Sequence, residues 1–449
     1  MRPRTKIALL VASAALAMPS AAGAQTPATQ VSSTGAAQDL GTDAGAPSLT
    51  PDAVSHRVLA VWQVSTTADT RSTAARVLDE SGRPVGPQFE LPGFAATTSA
   101  VVVAARPRAG GWIVVAAVSG AARATRVVSL VVGRDGAVGA RHDVSAAAPY
   151  ETAGIDSPSI ALDPRTGRGV IAWFLDATTA KVRPRGGVYA RAIDASGRVA
   201  GATRAVDVAP QGSSGVDGAL TLGFVAKTRR WLAVWQSTRA AGSRSRPRTV
   251  NELSARRVLG DAAPRGPVRA VGRPGELVDQ RVGDLTLVTD TGSSRPMLLY
   301  TLNGRTGVDV VRLLRLDAGG GAAGRGATTI SPAASEPVAY ADPTVVRDPA
   351  SGGFVVAYTE DCAPIGHEQC PEFTVVHGQR LSSGGSLEGA PGVLVGQAAG
   401  SGALARTAGG AYLLAWPSAV AFGAPYDDPA AMATLYPLKS EIAVRSLAL

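Results

Sequence analysis

The residues of this chain best suited to chemistry include two cysteines and a histidine that are close in sequence. Cys362 and Cys370 are its only cysteines, and the segment APIGHEQ between them contains His367. In an exported chain, two cysteines so placed most simply form a disulfide. A zinc ion held by both thiolates and His367 is the alternative, but a fourth ligand is not evident. We therefore predict a disulfide between Cys362 and Cys370.

Acidic residues are a second source of chemistry, because glycoside hydrolysis uses a pair of carboxylates. Glu360, Asp361, Asp427 and Asp428 are candidates for such a pair. The sequence contains none of the motifs Ser-x-Asp-x-Gly-x-Thr-Trp, Asp-x-Asp-x-Asp-Gly, Gly-x-Ser-x-Gly and His-Glu-x-x-His. Without them we assign no catalytic residue and expect neither a metal nor a cofactor, and a non-enzymatic protein is the favoured interpretation.

The elements that must position these residues come from a repeated unit. In each copy an apolar run ends in an aromatic residue, and a strand carrying Arg then runs into a turn with Gly. The position of the aromatic residue recurs about every 54 to 65 residues: Trp62, Ala116 in a degenerate copy, Trp173, Trp235, Tyr300, Tyr358 and Trp416. Seven repeats of several short strands each predict an all-β fold, a seven-bladed β-propeller with four-stranded blades.

The third repeat shows the four predicted strands most clearly, at residues 157–163, 168–174, 187–194 and 202–209. The last repeat ends on its third strand, at the C-terminus. A propeller left open there would expose unpaired backbone groups along a strand edge. We therefore expect an N-terminal strand, from residues 36–45, to complete the last blade and close the ring.

This pattern of an apolar run ending in VW or AY, then YAR or GQR, then a Gly turn resembles the tandem repeats of secreted bacterial β-propeller proteins of mostly uncharacterised function. The resemblance covers roughly residues 45–449. It implies the fold and an extracytoplasmic setting, and it brings no catalytic residues.

The recurring aromatic residues could form a ligand-stacking cage, but large rings at one repeat position more simply fill the wedge between neighbouring blades. Five arginines also recur, and we interpret them as structural partners of turn carbonyls or carboxylates rather than a substrate-binding ring. They are Arg76, Arg191, Arg315, Arg380 and Arg445.

The N-terminus is typical of a secretory signal, with Arg2, Arg4 and Lys6 before the apolar residues 7–18 and small residues up to Ala24. The apolar run is shorter than the roughly 20 residues of a membrane span, so we expect no transmembrane anchor. We divide the chain into a signal peptide (1–24), a flexible lead-in (25–33) and a single propeller domain (34–449).

The formal net charge of +9 includes the three basic residues of the signal. The remaining charge is modest for the length, and basic residues are not interleaved with aromatic ones over a long surface, so we expect no nucleic-acid partner. A secreted or cell-envelope monomer is the expectation.

Four segments between second and third strands are long, and a propeller places them on one face. Loops on a rigid scaffold often carry function, which makes this face the candidate binding surface. Its charged and aromatic candidates are Lys181, Arg183, Arg185, Arg239, Arg244, Arg246, Arg248, Glu360, Asp361, His367, Tyr426, Asp427 and Asp428. The first hypothesis is a scaffold that binds an extracellular protein or glycan there; the alternatives are a polysaccharide hydrolase or lyase and a structural component of the cell envelope.

The exported protein should contain no free thiol, because the predicted disulfide consumes both cysteines. Peptide mass spectrometry should detect the linked pair Cys362 and Cys370 before reduction and lose it afterwards. Stoichiometric zinc together with two reactive thiols would contradict the disulfide.

Overall fold

A computed structural model describes most of the chain after its N-terminal region. It covers residues 29–30, 47–65, 71–94, 101–119, 125–145, 153–177, 186–208, 219–243, 246–272, 281–289, 295–303, 309–324, 326–332, 338–362, 374–398, 400–419 and 440–447. The predicted signal peptide lies outside these residues. Within them no helix is long and apolar enough to cross a membrane.

Seven sheets of four antiparallel strands make up the described structure, as the repeats predict. Blade one contains β2 (Ser48–Asp52), β3 (Arg57–Ser65), β4 (Arg71–Asp79) and β5 (Phe89–Glu90). Blade two contains β6 (Val102–Ala105), β7 (Trp112–Ser119), β8 (Thr125–Val132) and β9 (His142–Asp143). Blade three contains β10 (Ala153–Leu162), β11 (Gly169–Ala177), β12 (Gly187–Ile193) and β13 (Arg204–Val208). Blades four and five contain β14 (Leu220–Val225), β15 (Arg230–Ser243), β16 (Arg246–Val258), β17 (Pro264–Val271); and β18 (Arg281–Val288), β19 (Met297–Asn303), β20 (Asp309–Arg315), β21 (Thr328–Thr329). Blade six contains β22 (Val338–Arg347), β23 (Phe354–Cys362), β24 (Thr374–Leu381) and β25 (Leu387–Ala398), and blade seven contains β26 (Ala403–Arg406), β27 (Tyr412–Ala419), β28 (Ser440–Leu447) and β1 (Thr29–Gln30).

The last blade is completed by the N-terminus, which confirms the predicted mode of closure. Strand β1 pairs antiparallel with β28, Thr29 opposite Val444 and Gln30 opposite Ala443. The closing strand lies earlier than the stretch 36–45 that we expected to supply it, inside the segment assigned to the lead-in. A two-residue strand has almost no periodicity by which the sequence could reveal it.

Neighbouring blades cover both faces of each sheet. In β3, Val58, Ala60 and Trp62 pack into a cluster with blade seven, whereas Leu59 and Val61 pack into a cluster with blade two. Each of the seven interfaces between blades contains one such apolar cluster. Alternate residues of a strand face opposite sides, so burial of both faces explains why these strands are continuous apolar runs.

The recurring aromatic residues belong to this core and do not form a ligand cage. All six are at most 4 % exposed, and each packs against the preceding blade: Trp62, Trp173, Trp235, Tyr300, Tyr358 and Trp416. In blade two, where Ala116 replaces the aromatic residue, Trp112 of the same strand face and Phe94 of blade one fill that cluster. The degenerate repeat therefore still forms a regular blade.

Two of the recurring arginines bond turn carbonyls, as expected. Arg76 Nε donates to the carbonyl of Gly86 at 2.9 Å, and Arg191 Nε donates to that of Gly201 at 2.8 Å. Arg191 also donates from Nη1 to Val144 O of the preceding blade at 2.7 Å, so it ties two blades together.

The expected positions in blades five and six were wrong by one residue. The strand register places Leu314 and Gln379, not Arg315 and Arg380, at the equivalent sites. Gln379 makes the corresponding contact from Nε2 to Gly389 O at 3.3 Å.

The glycine of the turn between third and outer strands is required for two reasons. Gly320 has a φ of 91°, which side chains disfavour. A Cβ there would also lie 2.6 Å from Cβ of Ala255 in the preceding blade. This turn therefore packs backbone directly against the neighbouring sheet.

Removal of β1 should weaken the whole domain, because it exposes the edge of β28 at the point where the ring closes. We expect a mature chain that begins at residue 31 to lose on the order of 1–3 kcal/mol of unfolding free energy, measured by urea titration. A chain that begins at Pro27 retains β1 and is the control. Identical unfolding midpoints for the two chains would contradict closure by this strand.

Two fully buried tryptophans should differ in how strongly their replacement by Phe destabilises the protein. Trp112 Nε1 donates to Thr50 O at 2.8 Å, whereas Trp235 Nε1 has no hydrogen-bond partner among the described residues. Trp112→Phe should therefore cost about 1 kcal/mol more unfolding free energy than Trp235→Phe. Both changes remove the same volume, so equal losses in urea titrations would show that the indole bond contributes nothing.

Candidate functional site in the central channel

The inner strands of the seven blades surround the central channel. Each of them contacts the inner strand of the next blade, from β2 through β6, β10, β14, β18 and β22 to β26 and back to β2. Every inner strand begins beside the end of the second strand, so its first residues lie at the long-loop face. In blade six, Val338 pairs with Cys362 at this face, whereas Arg347 pairs with Phe354 at the opposite end.

A girdle of hydroxyl side chains connects the inner strands of blades three to seven. Ser159 Oγ accepts from Leu222 N at 3.0 Å, and Thr221 Oγ1 accepts from Leu287 N at 3.2 Å. Thr286 Oγ1 then donates to Pro343 O at 3.0 Å. Thr344 Oγ1 accepts from Leu404 N at 3.1 Å. Backbone groups that face the channel thus find partners in the next blade, as buried polar groups require.

Two carboxylates lie next to this girdle, toward the long-loop face. Asp342 N donates to Asp284 Oδ2 at 3.0 Å, and Asp284 N donates to Thr301 Oγ1 at 2.9 Å. The hydroxyl of Ser401, from blade seven, donates to Asp342 Oδ2. Asp284, Asp342 and Ser401, which we call the carboxylate site, bring blades five, six and seven together.

The surroundings of Asp342 favour its protonated form. Burial raises the pKa of the Asp342 carboxyl, and the nearby charge of Asp284 raises it further, while the Ser401 hydrogen bond acts in the opposite direction. Asp342 lies at a strand irregularity and has a φ of 49°. Such a conformation in a residue other than glycine carries strain, and strained backbone concentrates at functional sites.

Blade six carries a second polar cluster near the same face. His377 Nε2 and Glu360 Oε2 are 2.6 Å apart, and the His377 ring stacks on Tyr358 at 5.4 Å between centroids. Burial raises the pKa of the Tyr358 hydroxyl, and the neighbouring Tyr340 and Glu360 raise it further. Glu360 is therefore hydrogen-bonded to His377, a partner that the sequence analysis did not anticipate.

Only part of the predicted binding face lies among the described residues. Glu360 and Asp361 occupy consecutive positions near the end of β23. Cys362 is the last residue of that strand. Most candidates from the loops of blades three, six and seven lie outside the described residues: Lys181, Arg183, Arg185, His367, Cys370, Tyr426, Asp427 and Asp428. Arg244 of blade four lies outside them as well. The disulfide and the charge asymmetry of the face remain predictions.

The expected long loop of blade four is instead an extended β-hairpin. Its strands β15 and β16 contain 14 and 13 residues, whereas the second and third strands of the other blades contain 7 to 9. Arg239 pairs with Val250, Arg248 with Ala241 and Arg246 with Ser243. The backbone of all three arginines thus belongs to the paired strands of this hairpin.

The sequence analysis missed Asp284 and Asp342 because neither belongs to a known catalytic motif. One signal was available: Asp342 precedes Pro343, as Ser157 precedes Pro158 at the equivalent position of blade three. Both Ser157 and Asp342 have a φ of 49°. The replacement of Ser by Asp before this proline, from blade three to blade six, is the sequence signal that could have identified Asp342.

Comparisons with known proteins give structural neighbours only. No family model and no curated protein sequence matches the chain. Similar solved structures include a mutant of NanB sialidase from Streptococcus pneumoniae, at 9 % identity and a TM-score of 0.45, over 93 % of this chain and 70 % of that one. A mutant of AofleA from Arthrobotrys oligospora matches at 12 % identity and a TM-score of 0.43, over 80 % of this chain and 89 % of that one. The α-L-arabinanase of Penicillium chrysogenum, complexed with arabinobiose, matches at 11 % identity and a TM-score of 0.40, over 65 % of this chain and 92 % of that one. We transfer no activity or residue role at this level of similarity.

Proposed function

We propose that this protein is an exported glycoside hydrolase that acts on an extracellular polysaccharide, with Asp342 and Asp284 as its pair of carboxylates. The observation that carries the proposal is their location. Both belong to inner strands and lie toward the long-loop face of the channel, where Asp342 N donates to Asp284 Oδ2. Sites in rigid folds often lie where several elements converge beneath such loops.

The contacts of each carboxylate suit a different role. Asp342 is the proposed general acid, since burial raises its pKa and a protonated carboxyl can give its proton to the departing glycosidic oxygen. Asp284 accepts a hydrogen bond from Asp342 N and is the proposed base or nucleophile. The two residues are both partly accessible to solvent, which the entry of a sugar requires.

Ser401 is the proposed positioning residue for the acid. Its hydroxyl bonds a single oxygen of the Asp342 carboxyl, and this bond lowers the pKa that burial raises. Ser401 thereby orients the carboxyl and sets the pH at which it loses its proton.

Asp342→Asn should abolish hydrolysis while leaving the fold intact. Asn tolerates a positive φ and keeps an oxygen for Ser401, but it cannot donate a carboxylic proton. We expect kcat to fall on the order of 100-fold to 10,000-fold, measured as reducing ends released from a polysaccharide panel by the mature protein. Circular dichroism and the melting temperature verify folding.

Ser401→Ala distinguishes a catalytic from a structural role of the pair. Loss of the hydroxyl raises the pKa of Asp342, and an acid with a higher pKa stays protonated to higher pH, so the alkaline limb of the kcat profile should shift upward. Ser157→Ala, at the equivalent position of blade three, is the control and should leave the limb in place. Release of reducing ends by Asp342→Asn at the wild-type rate would refute the assignment.

A scaffold that binds a protein or glycan without cleaving it is the second candidate. The extended hairpin of blade four favours it, because its paired strands contain Arg239, Arg246 and Arg248. Basic residues concentrated in one element suit an acidic partner. In the same polysaccharide panel, saturable binding without release of reducing ends would support the scaffold over the hydrolase.

A further inference from the structure

The end of the channel opposite the long loops contains a cavity of about 520 Å³. Its walls come from the inner strands of blades one, five, six and seven and from the turns that follow them. Leu49, Leu287, Val345 and Leu404 supply apolar surface. A volume of this size accommodates a small organic ligand.

Two arginines are among the residues that line this cavity. Arg347 and Arg406 line it together with Thr286 and Thr289, and no acidic residue is among its described lining residues. Both arginines are the last residues of their inner strands, β22 and β26, so they occupy equivalent positions in adjacent blades. The inner strand of blade three ends in Leu162 instead.

Neighbouring groups hold one of these arginines in place. The guanidinium of Arg406 lies 5.7 Å from the centroid of the Tyr412 ring and hydrogen-bonds that side chain. Asp348 attracts the same guanidinium from the turn after β22. Arg406 is therefore preorganised, and a preorganised group loses less freedom when a ligand binds.

We propose that this cavity binds a sugar acid, a pyranose that carries one carboxylate. The planar fork of an arginine matches a carboxylate through two parallel hydrogen bonds, which an uncharged sugar cannot provide. The apolar walls suit the hydrophobic face of a pyranose ring, and the threonine hydroxyls suit its hydroxyl groups. The site is separate from the carboxylate site and does not depend on the proposed hydrolase activity.

Isothermal titration of the mature protein with D-glucuronate, D-glucose and inorganic phosphate tests this assignment. Glucuronate should bind with one site per chain and at least tenfold more tightly than either of the other two. Binding of glucose as tight as that of glucuronate would show that the carboxylate is not recognised. Phosphate that binds equally well would show that the cavity is selective for an oxyanion and not for a sugar acid; either result overturns the proposal.

Variants at one position separate ligand binding from folding. Arg347→Leu installs the residue of blade three and should weaken glucuronate binding at least tenfold, whereas Arg347→Lys keeps the charge without the fork and should have an intermediate effect. Arg168→Leu, an exposed arginine of the equivalent turn in blade three, is the matched control and should leave binding unchanged. Wild-type affinity in a folded Arg347→Leu variant would refute the site, whatever the hydrolase assay shows.

Discussion

The packing of each sheet between two others is the constraint on which the rest of this structure depends. A blade has apolar residues on both faces, and only the adjacent blades can cover them. The first and last blades must therefore meet, and they do so through the cluster that contains Trp62 and Val444 and through the pairing of β1 with β28. The pairing with β1 covers Ala443 and Val444 of β28, while the cluster supplies the apolar burial.

Closure creates an axis where seven inner strands converge, and polar backbone groups there find partners in the next blade. Hydroxyl side chains perform this role from blade three to blade seven by bonding the backbone of the next inner strand. The same convergence brings charged side chains close together. Asp284 and Asp342 meet at one end of the channel, and Arg347 and Arg406 line the cavity at the other.

The proposed chemistry follows from this convergence. Burial beside a second carboxylate is what raises the pKa of Asp342, and neither condition exists in an isolated hairpin. Glu360 and His377 differ from this pair, since their hydrogen bond lies within one blade. Glu360, a candidate for acid chemistry in the sequence, is thus already bonded to a neighbour, and the carboxylates proposed for chemistry lie on the inner strands.

The sequence by itself determined the all-β fold, seven repeats, the aromatic core positions and the Gly turns, because each depends on local periodicity within one blade. It misplaced the closing strand, and it set Arg315 and Arg380 one residue away from the true structural positions, because register depends on pairing across strands. Only the tertiary structure decided that Asp284, Asp342 and Ser401 form one site. Asp284 and Asp342 are 58 positions apart along the chain, and Asp342 and Ser401 are 59 positions apart. They come into contact only when the three blades pack side by side around the axis.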